Sequence, residues 1–230
     1  MAEIVVALDL PTCAAALRVV DAAGASCAWY KVGPALFVAD GPALVRELLA
    51  RGKQVFLDLK WHDIPHTVGA AVAAASGLGA SLATVHVAGG PRMLAAAAQE
   101  RAGGLRLVGV GVLTSLVAGD YAGIVGRPVA SLGAEQERLV RMALEAGLDG
   151  FVTAAAEAPR VRRSAGPRAL LVTPGIRLGS QGEDDQRRTA RPAEAVRAGA
   201  DLLVVGRPVT GASDPAAALL AIHADMEGAR

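Results

Sequence analysis

The chain has 230 residues, 53% of them hydrophobic, and a formal net charge of +1. That much apolar sequence excludes intrinsic disorder. The balanced charge, the lack of a basic block and the 3% aromatic content exclude a nucleic-acid surface built on phosphate contacts or base stacking. No stretch of about 18 apolar residues is free of charges or helix breakers, so no membrane span is expected. The start, Met1-Ala2-Glu3-Ile4, has no basic segment, and Asp9 interrupts the apolar run, so no signal peptide is read. Cys13 and Cys27 have no metal-type or CxxC spacing and read as small hydrophobes in a reducing compartment. The expectation is a soluble cytoplasmic protein.

Short apolar runs alternate with alanine-rich stretches. Strands are predicted at 4–8, 27–32, 54–59, 82–87, 105–113, 150–153, 169–173 and 201–205. Helices are predicted between them: one opened by Pro11-Thr12 and closed by Gly24, then 42–50, 68–78, 91–101, 135–146, 155–163, 192–198 and 215–226. Strands that read as unbroken apolar runs are strands covered on both faces, as in a parallel sheet. Eight strand–helix units in a chain of this length predict one domain over 1–230, a compact (β/α)8, or TIM, barrel. The runner-up, a doubly wound open sheet, lacks a GxGxxG after the first strand. Two long connections, 114–133 and 177–191, stand out. The second is polar and reads as a lid.

Of the 23 basic residues only Lys31, Lys53 and Lys60 are lysine. What lysine can do and arginine cannot is give up its proton. In a barrel of this type the active site lies at the C-terminal ends of the strands. Here those ends read Asp9, Lys31, Asp58 with Lys60, His86, Thr114, Thr153, Pro174 to Arg177, and Gly206-Arg207. Residues 58 and 60 are two apart on a strand and therefore share a face. Asp63 follows, within reach of the same ammonium or of a neighbouring subunit. A salt bridge plugging the barrel is the simpler account, but burying such charges costs several kcal/mol and is poorly justified by stability. With Asp9 and Lys31 the set alternates in sign, which keeps a lysine protonated and poised to protonate a carbanion. Lys53, at the opposite strand end, reads as a solvated loop residue.

Gly175-Ile176-Arg177 and Gly206-Arg207 follow the seventh and eighth strands, the usual place of a phosphate site in these barrels. The substrate is then a phosphomonoester. His86 reads as a wall residue, His62 and His66 as positioning residues, and His223 as surface. No histidine–carboxylate cluster has metal spacing.

These residues carry a resemblance. The segments Ala7-Leu8-Asp9, Tyr30 to Gly33, Asp58-Leu-Lys60-Trp-His-Asp63-Ile64-Pro-His-Thr67, Thr84-Val-His86, Val112 to Ser115, Thr173 to Arg177, Asp185-Gln186-Arg187 and Val204 to Arg207 resemble the orotidine 5′-phosphate decarboxylase family along almost the whole chain. The resemblance implies a decarboxylation of orotidine 5′-phosphate to UMP without metal or cofactor, in a homodimer with shared active sites. It implies Lys60 as proton donor, Asp58 beside the departing carboxylate, Lys31 orienting Asp58 and the ribose, and Asp9 on a ribose hydroxyl. Asp63 and Thr67 would come from the partner subunit. Thr114 or Ser115 would face the pyrimidine. Gln186, Arg207 and the Gly206 amide would hold the phosphate, with Arg177 at the base of the lid. Ile64 and Pro174, inside these motifs, join the substrate-contacting set. His66 departs from the family's usual Asn, and Gln181 competes with Gln186. The enzyme alternative is an Mg-dependent sugar-phosphate decarboxylase or aldolase with the same Asp-x-Lys-x-x-Asp motif; a silent phosphate-binding barrel would need no proton donor.

Overall fold

A computed structural model describes residues 2–179 and 189–229. Eight parallel strands close into a barrel in chain order, with β1 pairing both β2 and β8. The elements are β1 (Glu3–Ala7), α1 (Cys13–Ala23), β2 (Trp29–Val32), α2 (Pro34–Ala50), β3 (Gln54–Trp61), α3 (Pro65–Leu78), β4 (Leu82–His86), α4 (Gly90–Gln99) and β5 (Arg106–Val110). There follow α5 (Ala118–Val125), α6 (Leu132–Glu145), β6 (Gly150–Val152), α7 (Ala158–Ala165), β7 (Leu170–Thr173), α8 (Pro192–Arg197), β8 (Leu202–Val205), α9 (Arg207–Thr210) and α10 (Pro215–Glu227). All eight predicted strands are present.

The helix boundaries follow local chemistry. Thr12 caps α1 by accepting from the Ala15 N–H, worth about 1 kcal/mol. Asp214 does the same for α10 and Ser131 for α6. The helix predicted at 42–50 is longer, because Pro34 starts it more than two turns earlier, and the chain kinks at Asp40, two residues before Pro42. The connection 114–133 is not all loop, since it contains α5, a helix with no buried residue.

Two apolar layers hold the molecule together. Inside the barrel, Val5, Ala7, Trp29, Phe56, Leu82, Val108, Val172, Leu202 and Val204 fill the lower part. Outside it, the other face of each strand packs against the helices in one large core that includes Val6, Tyr30, Leu57, Val85, Phe151 and Leu203. Because side chains alternate along each strand, whatever follows the inner apolar residues toward the C-terminal rim also points inward.

Candidate active site

A cavity of about 540 Å³ opens at the C-terminal rim of the barrel, a volume usual for small-molecule sites. Its floor is apolar: Ala7, Phe56, Val110, Val152, Val172 and Val204. Asp9, Lys31, Asp58 and Lys60 stand over the first three strands. Pro174, Gly175, Arg177, Gly206, Arg207 and Thr210 stand over the last two, and Thr114 lies beyond β5.

Four of these side chains form one chain of charges. Lys31 Nζ lies 2.9 Å from Asp9 Oδ1 and 3.4 Å from Asp58 Oδ2. Lys60 Nζ lies 2.8 Å from Asp58 Oδ1. The side chain of Lys31 is 9% exposed, that of Asp58 15%, that of Lys60 38%. Both lysines border the cavity, Lys60 is the more accessible of the two, and the carboxylate shared by both ammoniums is buried. Burial alone pushes the Asp58 carboxyl up. Lys31, then Lys60, with hydrogen bonds from Lys60 and Thr84, more than reverse this and hold it below its ordinary value.

Local structure sets this geometry. Lys60 has φ 49°, the only positive φ outside glycine among the described residues. The β3–β4 register shifts between Leu57 and Trp61, so a bulge re-aims the end of β3. Gly33, at the start of α2, packs closely against the network: a Cβ there would stand 3.0 Å from Asp9 Oδ1 and 3.4 Å from Lys31 Nζ.

On the far side, Arg177 leaves β7 half-buried, its Nη1 donating to the Ile176 carbonyl at 2.9 Å. Burial pulls its guanidinium below the ordinary value. The stems of the 177–191 connection meet: Ile176 bridges Ala190, and the Arg177 N–H donates to the Ala190 carbonyl at 2.9 Å.

The sequence matches the model of the "Orotidine 5'-phosphate decarboxylase / HUMPS family" over residues 2–222. The chain belongs to this family. It is 48% identical over 226 residues to an orotidine 5′-phosphate decarboxylase of Anaeromyxobacter sp. (strain K), spanning 97% of this chain and 98% of that protein. A Methylobacterium radiotolerans protein of the same name is 48% identical over 225 residues, 97% of this chain and 96% of that one. The crystal structure of orotidine 5′-phosphate decarboxylase from Lactobacillus acidophilus aligns with a TM-score of 0.86 at 32% identity, covering 98% of this chain and 99% of that one.

The family motifs divide in space. Asp9, Lys31, Asp58, Lys60, Thr114, Pro174, Arg177, Gly206 and Arg207 all border the cavity. Asp63, Ile64 and Thr67 do not: they sit exposed at the start of α3, with Ile64 65% exposed. Asp63 Oδ1 accepts from the Ile64 N–H at 2.6 Å, and among the described residues Asp63 forms no ion pair. Between the two hydroxyls offered for the pyrimidine, Thr114 borders the cavity whereas Ser115 is exposed outside it. Gln186 and Gln181, with most of the predicted lid, lie outside the described residues.

Other readings change. Thr153, a predicted strand-end polar group, is buried behind the barrel and donates to the Ala154 carbonyl at 3.4 Å. Lys53 is not merely solvated. It is half-buried at the opposite barrel end, and its ammonium donates to the Gly24 and Cys27 carbonyls at 2.7 and 3.0 Å. His223 is half-buried, not a free surface residue, its Nε2 3.3 Å from the Ser26 carbonyl. His86, expected in the wall, does not line the cavity; it stacks on His62 at 5.2 Å, and its Nδ1 accepts from the Ala88 N–H. Thr84, quoted in a motif but assigned no role, proves to touch both Lys60 and Asp58. Its only sequence signal is a hydroxyl inside an apolar strand, two residues before His86.

Proposed function

We propose that this cavity decarboxylates orotidine 5′-phosphate to UMP, the last step of pyrimidine nucleotide synthesis, with Lys60 as the proton donor. The observation that carries the reading is Asp58, buried between two ammoniums, with the accessible one, Lys60, facing a cavity whose far side carries Arg177 and Arg207. The phosphate binds over the last two strands, against Arg177, Arg207 and the Gly206 amide, with Gln186 from the adjoining connection. The ribose lies against Asp9 and Lys31, and the pyrimidine against Thr114 and Pro174.

This orientation brings the substrate carboxylate toward Asp58. Two like charges in a partly dry site repel, and the repulsion is relieved as CO2 leaves. Cleavage of the C6–carboxylate bond leaves its electron pair on C6. Lys60, paired with Asp58 at 2.8 Å, is already placed to stabilise that charge. Its Nζ–H proton then joins the pair to form the C6–H bond, and the neutral amine recovers a proton from water. Phosphate contacts remote from C6 supply binding energy that is realised in the transition state. No step calls on a metal or an organic cofactor.

The same reading gives the exposed Asp63, Ile64 and Thr67 a use. In a homodimer they cross a twofold axis to complete the partner's site, as an isologous interface permits. The enzyme acts in the cytoplasm as one barrel domain. No helix among the described residues is long and apolar enough to cross a membrane.

The deciding assay follows the loss of orotidine 5′-phosphate absorbance with and without EDTA. Undiminished turnover in EDTA is the expected result. No turnover at all would overturn the reading in favour of the Mg-dependent sugar-phosphate alternative or a silent binder, and turnover that disappears in EDTA and returns with Mg²⁺ would overturn the metal-free mechanism. For the dimer, inactive Asp63→Ala and Lys60→Ala homodimers are mixed and allowed to exchange. Activity should recover partially, because one hybrid site is intact. Demonstrated exchange without recovery would exclude shared sites.

A further inference from the structure

The bulge that aims Lys60 leaves a gap in the β3–β4 ladder. Leu57 pairs with Ala83 and Trp61 with Val85, so four steps along β3 face two along β4. Asp58, Leu59 and Lys60 lie in the excess length. Lys60 is also left-handed, with φ 49°, a conformation that strains a residue carrying a Cβ. Such strain persists only where the surroundings over-determine it.

Thr84 is what stands opposite. It lies mid-strand in β4 and is fully buried, at 0% exposure. Its Oγ1 accepts from the Lys60 N–H at 2.8 Å and lies 3.1 Å from Asp58 Oδ1. A hydroxyl has one proton and two lone pairs. Since the Lys60 N–H can only donate, and the Asp58 carboxylate can only accept, the direction is fixed: Lys60 N–H to Thr84 Oγ1, Thr84 Oγ1–H to Asp58 Oδ1. The same Oδ1 accepts from Lys60 Nζ at 2.8 Å. The result is a closed ring that runs from the backbone of Lys60, through Thr84 and Asp58, to its own ammonium. The β-branched threonine adds a stiff χ1 to that ring.

We infer that Thr84 is a positioning residue for the decarboxylation, fixing the left-handed backbone of Lys60 and the carboxylate of Asp58 in one step through a single hydroxyl. It touches no substrate, so it acts through the two groups that do. The inference rests on the function proposed above.

Three substitutions test it. Thr84→Val keeps the shape and removes the hydroxyl; Thr84→Ser keeps the hydroxyl; Thr84→Ala serves if the valine variant does not fold. The expected result is a kcat lowered about 10²-fold in the valine or alanine variant, the scale of an ångström-sized misplacement of a reacting group. KM should change far less, UMP should bind as in the unmodified enzyme, and Thr84→Ser should recover most of kcat. Equal kcat for the serine and alanine variants, or an effect confined to KM, would overturn the inference. Crystal structures supply a readout that needs no activity. Lys60 should leave the left-handed region, or the Asp58 carboxylate should turn away, in Thr84→Ala. Unchanged geometry at both would sink the inference even if the function stands, whereas an unmodified enzyme inert toward orotidine 5′-phosphate would count against the function alone.

Discussion

The two ends of this barrel both carry acid–base pairs, and they use them differently. At the N-terminal end, Asp149 precedes β6 and Asp201 precedes β8. Each accepts a backbone N–H from the preceding strand, Leu107 and Leu171 respectively, at 2.7 Å. Each then pairs with one arginine, Arg101 or Arg162. Arg162 spreads its guanidinium over the Ala169 and Gly199 carbonyls as well, at 2.6 and 2.7 Å. These are ties between strand starts and helix ends, half open to solvent. At the C-terminal end one buried carboxylate is shared by two lysines and a hydroxyl. The arrangement there is poor bracing, because two ammoniums near one carboxylate are costly to desolvate. It is good chemistry, because it holds a transferable proton beside a cavity. Arginine's planar fork suits the first task and lysine's compact charge the second.

The comparison breaks most sharply at Lys60. Lys60→Arg keeps the positive charge but offers no transferable proton. We expect kcat to fall by about 10³-fold or more, with UMP still bound and Tm nearly unchanged. A variant within tenfold of the unmodified turnover would show that charge alone suffices and that the proton comes from elsewhere. The reverse exchange is Arg162→Lys. One ammonium cannot span Asp201, Ala169 and Gly199 together, so stability should fall by about 1–2 kcal/mol. That is a Tm loss of roughly 2–8 °C, with kcat unmoved. A loss of turnover without a loss of Tm would mean that the two ends are not separate in function.

The same contrast explains what could be read from residues alone. All eight strands were legible, since strands buried on both faces are continuous apolar runs. The mouth was legible because Asp9, Lys31, Asp58 and Lys60 end such runs. Helix α5 was not, because a helix with no buried residue has no apolar stripe to betray it. Scarcity of lysine was an imperfect guide: Lys53 is as rare as Lys60, yet it ties two carbonyls at the far end. Thr84 was hidden because its partners depend on a bulge that no spacing rule contains. Ile64 and Thr67 were recognisable only as a motif, and Asp63 only by its place after Lys60, since one chain leaves all three facing solvent.

The smallest effect concerns the imidazoles beside the mouth. His86 is half-buried, stacks on His62 and lies near Lys60. Burial first, then His62 and Lys60, lower its pKa from the ordinary 6.5. A group whose folded value is depressed gives up stability as pH falls: the unfolded chain takes up the proton near 6.5, and the folded chain only at lower pH. The stability tied to neutral His86 is therefore complete above pH 6.5 and is lost as pH falls through the lowered folded value. Urea unfolding at pH 7.5, 6.5 and 5.5 should show a decline that is shallower in His86→Asn than in the unmodified enzyme. Identical declines would place the acid sensitivity elsewhere. The mouth would then lose one of its distinguishing marks, an environment that leaves its positive charge to the two lysines by keeping a neighbouring imidazole neutral.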